Sequence, residues 1–140
     1  MRDWKIAGGV AAGFVLGCAA SAAAHLAPLA LPDRAAGSNE VLKATLESAE
    51  GIEVIISDVI IPPGAQVPRH YHPGEEFIYI VEGDAVQIEE GQDHRILKAG
   101  DAYVIRKERI HSPRGGDDGA RAIVFRVHVE GSPERVLVAE

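Results

Sequence analysis

The sequence predicts an all-β fold, and three observations predict it. Residues 39–140 hold eight short segments rich in Val, Ile, Tyr and Phe. Between them lie turn signals built on Gly, Pro and Asp, residues that terminate strands and shape turns. The segments recur at nearly regular spacing, which is the pattern of a β-sandwich or barrel.

The elements are expected in this order. Val41 to Glu47 is the first strand and ends at Glu50-Gly51; Ile52 to Ile60 is the second and ends at Pro62-Pro63-Gly64. Glu76 to Glu82 and Ala85 to Glu89 are expected as separate strands divided by a turn at Gly83-Asp84. His94 to Leu97 follows the Gly91-Gln92-Asp93 turn, and Ala102 to Ile105 follows Ala99-Gly100-Asp101. Gly115 to Gly119 is glycine-rich and acidic, so it is expected as a solvated hairpin loop and not as a phosphate cradle. Ala120 to Glu130, the turn Gly131-Ser132-Pro133 and Arg135 to Val138 complete the set.

Residues 1–24 have a different composition. A short charged head, Met1 to Lys5, precedes nineteen uncharged residues from Ile6 to Ala24, dominated by Ala and Gly. That is the layout of a secretory signal peptide. Three fates fit it: cleavage after Ala24 to release a soluble protein, lipidation of Cys18 in a lipobox-like Val15-Leu16-Gly17-Cys18, or retention as a membrane anchor. The expected location is therefore exported, periplasmic or extracellular, with membrane contact only through the leader. Cys18 is the chain's one cysteine, so the exported part has no thiol for disulfide, metal or nucleophile chemistry. Residues 25–38 read as a Pro/Ala/Gly linker, and 39–140 as one domain of modal size.

The densest chemistry lies in Gly64 to Gly83. His70 and His72 are two residues apart, so on an extended segment both imidazoles leave the same face, and the carboxylate of Glu76 follows four residues later. Nitrogen donors with a carboxylate suit iron, manganese, nickel, copper or zinc rather than calcium or magnesium. Glu75 lies next to Glu76, and strand phase does not choose between them, because Pro73-Gly74 interrupts it.

Gly64, His70, His72, Glu76 and Gly83 fit G-x5-H-x-H-x3-E-x6-G, the first motif of the cupin superfamily. The domain resembles a small single-domain cupin of the quercetin-dioxygenase-like sort, and this resemblance implies a jelly-roll β-barrel. The motif's spacing to Gly83 selects Glu76 and leaves Glu75 as a solvated charge. The second motif, G-x5-P-x-G-x2-H-x3-N, is half present: Gly100 and His111 stand in place, while Arg106, Glu108 and Gly115 replace its proline, glycine and asparagine. The resemblance implies a divalent transition metal held by His70, His72, Glu76 and His111, with Glu76 also the candidate catalytic base.

If Glu76 faces inward, alternation carries Ile78 and Ile80 inward and Phe77 and Tyr79 outward. Tyr103, Arg126 and His128 are left outside the site, because lone polar residues in strands usually face solvent. The whole chain carries −7; Arg2, Lys5 and Asp3 of the leader together carry +1, so the remainder carries −8. Such a charge repels phosphate backbones and argues against nucleic acid. A small organic molecule is the expected partner, and the resemblance implies a homodimer, which would also cover strand edges. Three functional classes stay open: a metal-dependent dioxygenase of the quercetinase type, a binding module using the same ion, and a structural barrel with a vestigial site. The altered second motif favours the non-catalytic readings slightly.

Overall fold

The computed structural model describes residues 30–139, which form eight strands and no helix. The expected leader with Cys18, and residues 25–29 of the expected linker, lie outside this range. The strands are β1 (Gly37–Thr45), β2 (Ile52–Ile61), β3 (His70–Tyr71), β4 (Glu75–Gln87), β5 (Arg95–Lys98), β6 (Ala102–Ile105), β7 (Arg114–Val129) and β8 (Val136–Leu137). All pairings are antiparallel. The main sheet runs β1-β2-β7-β4-β5, with β6 also on β4, and β3 pairs with β8 in a second, two-stranded sheet.

Three expectations are corrected. Gly83-Asp84 is no turn: β4 runs through it, with register shifts between Ile80 and Glu82 and between Gly83 and Ala85. Gly83 adopts φ 67°, and a Cβ there would lie 2.0 Å from the Gly119 carbonyl oxygen, so the chain bends without breaking. The acidic stretch Gly115 to Gly119 is likewise strand, inside β7. A Cβ on Gly115 would lie 2.3 Å from the Pro62 carbonyl oxygen, which shows close backbone approach and not solvation as the reason for glycine here.

The third correction concerns closure. The sheet is not closed into a barrel by continuous hydrogen bonding; among the described residues the isolated bridges Gln66–Arg114, His70–His111 and Glu89–His111 span the gap. Pro68 and Pro73 flank β3, and proline has no N–H to donate, so that edge supports two residues of strand and no more.

The core is small. Ile78, Ile80, Leu97, Ile105, Ala122 and Val124 form one buried cluster, with Val59 and Tyr103 packed against it. Each fully buried Ile, Leu or Val contributes about 1.5–3 kcal/mol. Alternation in β4 follows the expectation: Glu76, Ile78 and Ile80 are buried, while Phe77 and Tyr79 are 46% and 48% exposed. Beyond the Gly83 bend the phase changes, and Ala85, Gln87 and Glu89 are buried instead.

Candidate metal centre

His70 and His72 lie on and just after β3, one on each side of the half-buried Tyr71, and both are buried. His111 is brought to them by backbone pairing. His70 N–H donates to the His111 carbonyl at 3.0 Å, and His111 N–H returns the bond at 2.8 Å. Residues paired this way present their side chains on one face. The His70 and His111 rings accordingly stand 4.2 Å apart between centroids, with His72 at 4.9 and 5.3 Å from them. One nitrogen from each imidazole lies within 4.8 Å of the others, close enough to share an ion.

The carbonyl oxygens around the rings decide which nitrogens are free. His70 Nδ1 lies 2.7 Å from the Pro68 carbonyl, His72 Nδ1 2.5 Å from that of Glu134, and His111 Nδ1 2.9 Å from that of Arg109. A carbonyl only accepts, so each Nδ1 carries a proton, and Nε2 of each ring is the position turned inward. The Nε2 atoms of His72 and His111 are buried without a hydrogen-bond partner. Backbone carbonyls that fix the tautomer of a histidine are the usual outer support of a metal ligand. Burial lowers the His70 pKa to about 4 and also lowers that of His111, so both are neutral ligands at neutral pH.

Glu76, on β4, closes this face. Its Oε2 lies 2.9 Å from His72 Nε2, and its Oε1 lies 3.8 Å from His111 Nε2. With Nδ1 protonated, His72 Nε2 and the carboxylate oxygen need a second ring proton or a cation between them at this distance. The donor set therefore fits a divalent ion. Glu76 also accepts a 2.7 Å hydrogen bond from Arg126 Nε. Burial pushes the Glu76 pKa up, but the His72 contact and the Arg126 charge outweigh it and hold the value at about 2. Glu75 has its side chain on the opposite phase of β4 and is half-buried.

Arg126 is the residue that sequence reasoning missed. It is 6% exposed and donates from Nη1 to Ser57 Oγ at 3.0 Å and to Glu134 Oε1 at 2.8 Å. One guanidinium thus ties β7, β2 and the segment before β8 to the carboxylate beside the histidines. His128 is buried on the same face of β7, opposite Glu53 in the register and 4.0 Å from it, and burial lowers its pKa. Tyr103 packs against the core cluster. A cavity of about 500 Å³ opens beside the histidines, within the range of small-molecule sites. Ile78, Ile80, Ala122 and Val124 supply its apolar wall, and Gln87 and Arg126 its buried polar groups.

An antiparallel β fold whose inner face presents three carbonyl-braced imidazoles to an apolar cavity defines a class of metal-site proteins. The family model described as the cupin domain matches residues 57–128, a little over half of the chain, and the chain belongs to that family. It is 28% identical over 110 residues to the tetracenomycin polyketide synthase protein TcmJ of Streptomyces glaucescens, covering 78% of this chain and 72% of that protein. Among solved structures it is similar to DMSP lyase DddQ from Ruegeria pomeroyi, with 27% identity and a TM-score of 0.53. That match covers 64% of this chain but 44% of the lyase. A cupin-like protein from Thermotoga maritima is similar in fold at a TM-score of 0.59 and 24% identity, covering 74% and 75% of the two chains.

Proposed function

We propose that this chain is an exported cupin that holds one divalent transition metal at His70, His72 and His111 and uses it to bind a small organic molecule. Glu76 is the fourth ligand and the candidate base. The observation that carries the reading is the convergence of three buried imidazoles, one nitrogen of each within 4.8 Å of the others, whose Nδ1 positions are already engaged by carbonyls and of which His111 Nε2 has no hydrogen-bond partner. An unpartnered buried polar atom destabilises a fold, and a shared cation satisfies it.

A bound ion would supply Lewis-acid polarisation of an oxygen donor on the organic molecule. The chain's own residues do the rest. The apolar wall around Ile78 and Val124 excludes water. The His72 contact and Arg126 keep Glu76 ionised, so the carboxylate is available as ligand or proton acceptor at neutral pH. The similarity to a DMSP lyase supports a lyase-type reaction as one use of the site. A dioxygenase of the quercetinase type is the alternative if the ion is iron or copper. The N-terminal layout supports a periplasmic or extracellular location. A homodimer is supported by the exposed outer face, where Phe77 and Phe125 are cross-strand partners, 46% and 40% exposed.

Elemental analysis of the purified protein and of the His70→Ala, His72→Ala double variant tests this reading. Near one equivalent of a transition metal is expected in the first and none in the second. Wild-type protein that stays metal-free after reconstitution with each candidate ion would remove the proposal.

A further inference from the structure

We infer that Gln87 is a specificity-determining residue whose side-chain amide donates a hydrogen bond to an acceptor oxygen of the organic molecule bound in the cavity. The inference deepens the proposed function and rests on it for the ligand's position. Gln87 is 2% exposed, lines the cavity, and its Nε2 has no hydrogen-bond partner among the described residues. Its lining neighbours on β4 and β5, Ile80, Ala85 and Leu97, are apolar and offer nothing to pair with. A buried donor facing an apolar wall is a net loss to the fold unless something else accepts from it.

The placement follows from the Gly83 bend. Without the phase change in β4, residue 87 would point outward with Phe77 and Tyr79; with it, Gln87 faces inward. The strand also sets the distance to the histidines. Glu89, the next inward residue, bridges to His111, and the Ser112 N–H donates to the Ile88 carbonyl at 2.9 Å. Gln87 is thus one same-face step, about 7 Å along the strand, from the position opposite His111. One small molecule reaches both: one oxygen on the ion and a second acceptor on Gln87. The class selected is an organic ligand with two separated oxygen functions, such as a phenolate with a carbonyl, carboxylate or nitro group. A site that offers an otherwise unpaired donor rejects analogues that lack the acceptor.

The test uses the full chain, loaded with the metal that elemental analysis identifies, and compares it with Gln87→Met, which conserves volume. The probes are 4-nitrocatechol and catechol, the second lacking the distal acceptor. The variant is expected to bind 4-nitrocatechol about tenfold more weakly, with catechol changed less than about twofold. Metal content is expected to be unchanged. In metal-free protein without probe, losing the unpaired amide is expected to raise Tm by about 4 °C. A lowered Tm would show that the amide is satisfied within the fold and would overturn the inference. Equal titrations of 4-nitrocatechol into both proteins, including no binding to either, would overturn it as well. Absence of metal from both proteins would instead remove the proposed metal function, while the Tm comparison still reads Gln87 alone.

Discussion

Replacing Arg126 by Met tests how the carboxylate of the site is kept charged. Glu76 is 5% exposed, and its pKa sits at about 2 against an ordinary 4.5, so the folded protein favours the ionised form by about 3 kcal/mol. The Arg126 guanidinium contributes to that preference through a 2.7 Å bond, and its other bonds go to Ser57, Glu134 and, at 3.4 Å, Ser38. Removing one partner of a buried pair typically costs about 3–5 kcal/mol. We expect about 3 kcal/mol for Arg126→Met in metal-free protein at pH 7. With a urea slope of about 1.5 kcal/mol per molar, the midpoint falls by about 2 M. The chain's one tryptophan, Trp4, lies outside the described residues, so circular dichroism is the suitable probe.

The pH dependence carries its own sign. The folded pKa of Glu76 is below its unfolded value, so its contribution is complete above about pH 4.5 and is lost as pH falls toward 2. Arg126→Met lacks the guanidinium's share of that contribution at every pH. The gap between variant and wild type should therefore be widest at pH 7 and narrow by pH 3. A further Glu76→Gln substitution in the variant should recover stability, because it removes the stranded charge. A destabilisation under about 1 kcal/mol at pH 7, or a gap that does not narrow in acid, would refute the reasoning.

Two further outcomes follow from the same geometry. His70, with a pKa near 4 against 6.5 when unfolded, remains neutral well below pH 6.5, so the metal should stay bound at pH 6 and be released as pH approaches 4; inductively coupled plasma measurements after dialysis at stepped pH check this. The same shift makes metal-free protein lose stability as pH falls from 6.5 to 4, because the unfolded chain takes up a proton that the folded site refuses. Glu108 holds φ at 59°, a conformation that costs a non-glycine residue about 1–2 kcal/mol, and its 3.8 Å ion pair with Lys107 joins two exposed side chains. Glu108→Gly should gain about 1 kcal/mol after the added unfolded-state entropy is deducted, read as a rise of several degrees in Tm by calorimetry.

Glu108 also shows what the sequence does and does not disclose. The cupin pattern has glycine at this position, and its replacement puts the delivery of His111 in question. The backbone nevertheless keeps the left-handed turn: Glu108 N–H donates to the His72 carbonyl at 3.0 Å, and Arg109 N–H to that of Arg106 at 3.1 Å. Tertiary pairing with the His72 segment holds a conformation the local residue disfavours. Spacing was therefore the durable signal at His70, His72, Glu76 and His111, and turn chemistry was not. The same limit produced the error at Gly83 and Gly115. Glycine there serves close backbone approach across strands, a non-local cause that no local pattern discloses.

Arg126 and Gln87 were hidden for a different reason, and the reason bears on function. In β7 the phase Ile123, Phe125, Val127 and Val129 is wholly apolar, yet it is the outer one; the inner phase carries Ala122, Val124, Arg126 and His128. In β2 the outer phase is Ile52, Val54 and Ile56, and the inner one includes Glu53 and Ser57. Reading the more apolar phase as the core inverts these strands. Here the inner face takes polar residues at the end of the sheet that borders the histidines, while the ordinary core of Ile78, Ile80 and Leu97 occupies the remainder. A fold that spends its interior on paired charge and unpartnered donors gains no stability from them over an apolar equivalent. The proposed metal and ligand give those inner groups partners, and the outward apolar phase, with Phe125 and Val129 at 40% and 56% exposure, is the face the proposed homodimer would cover.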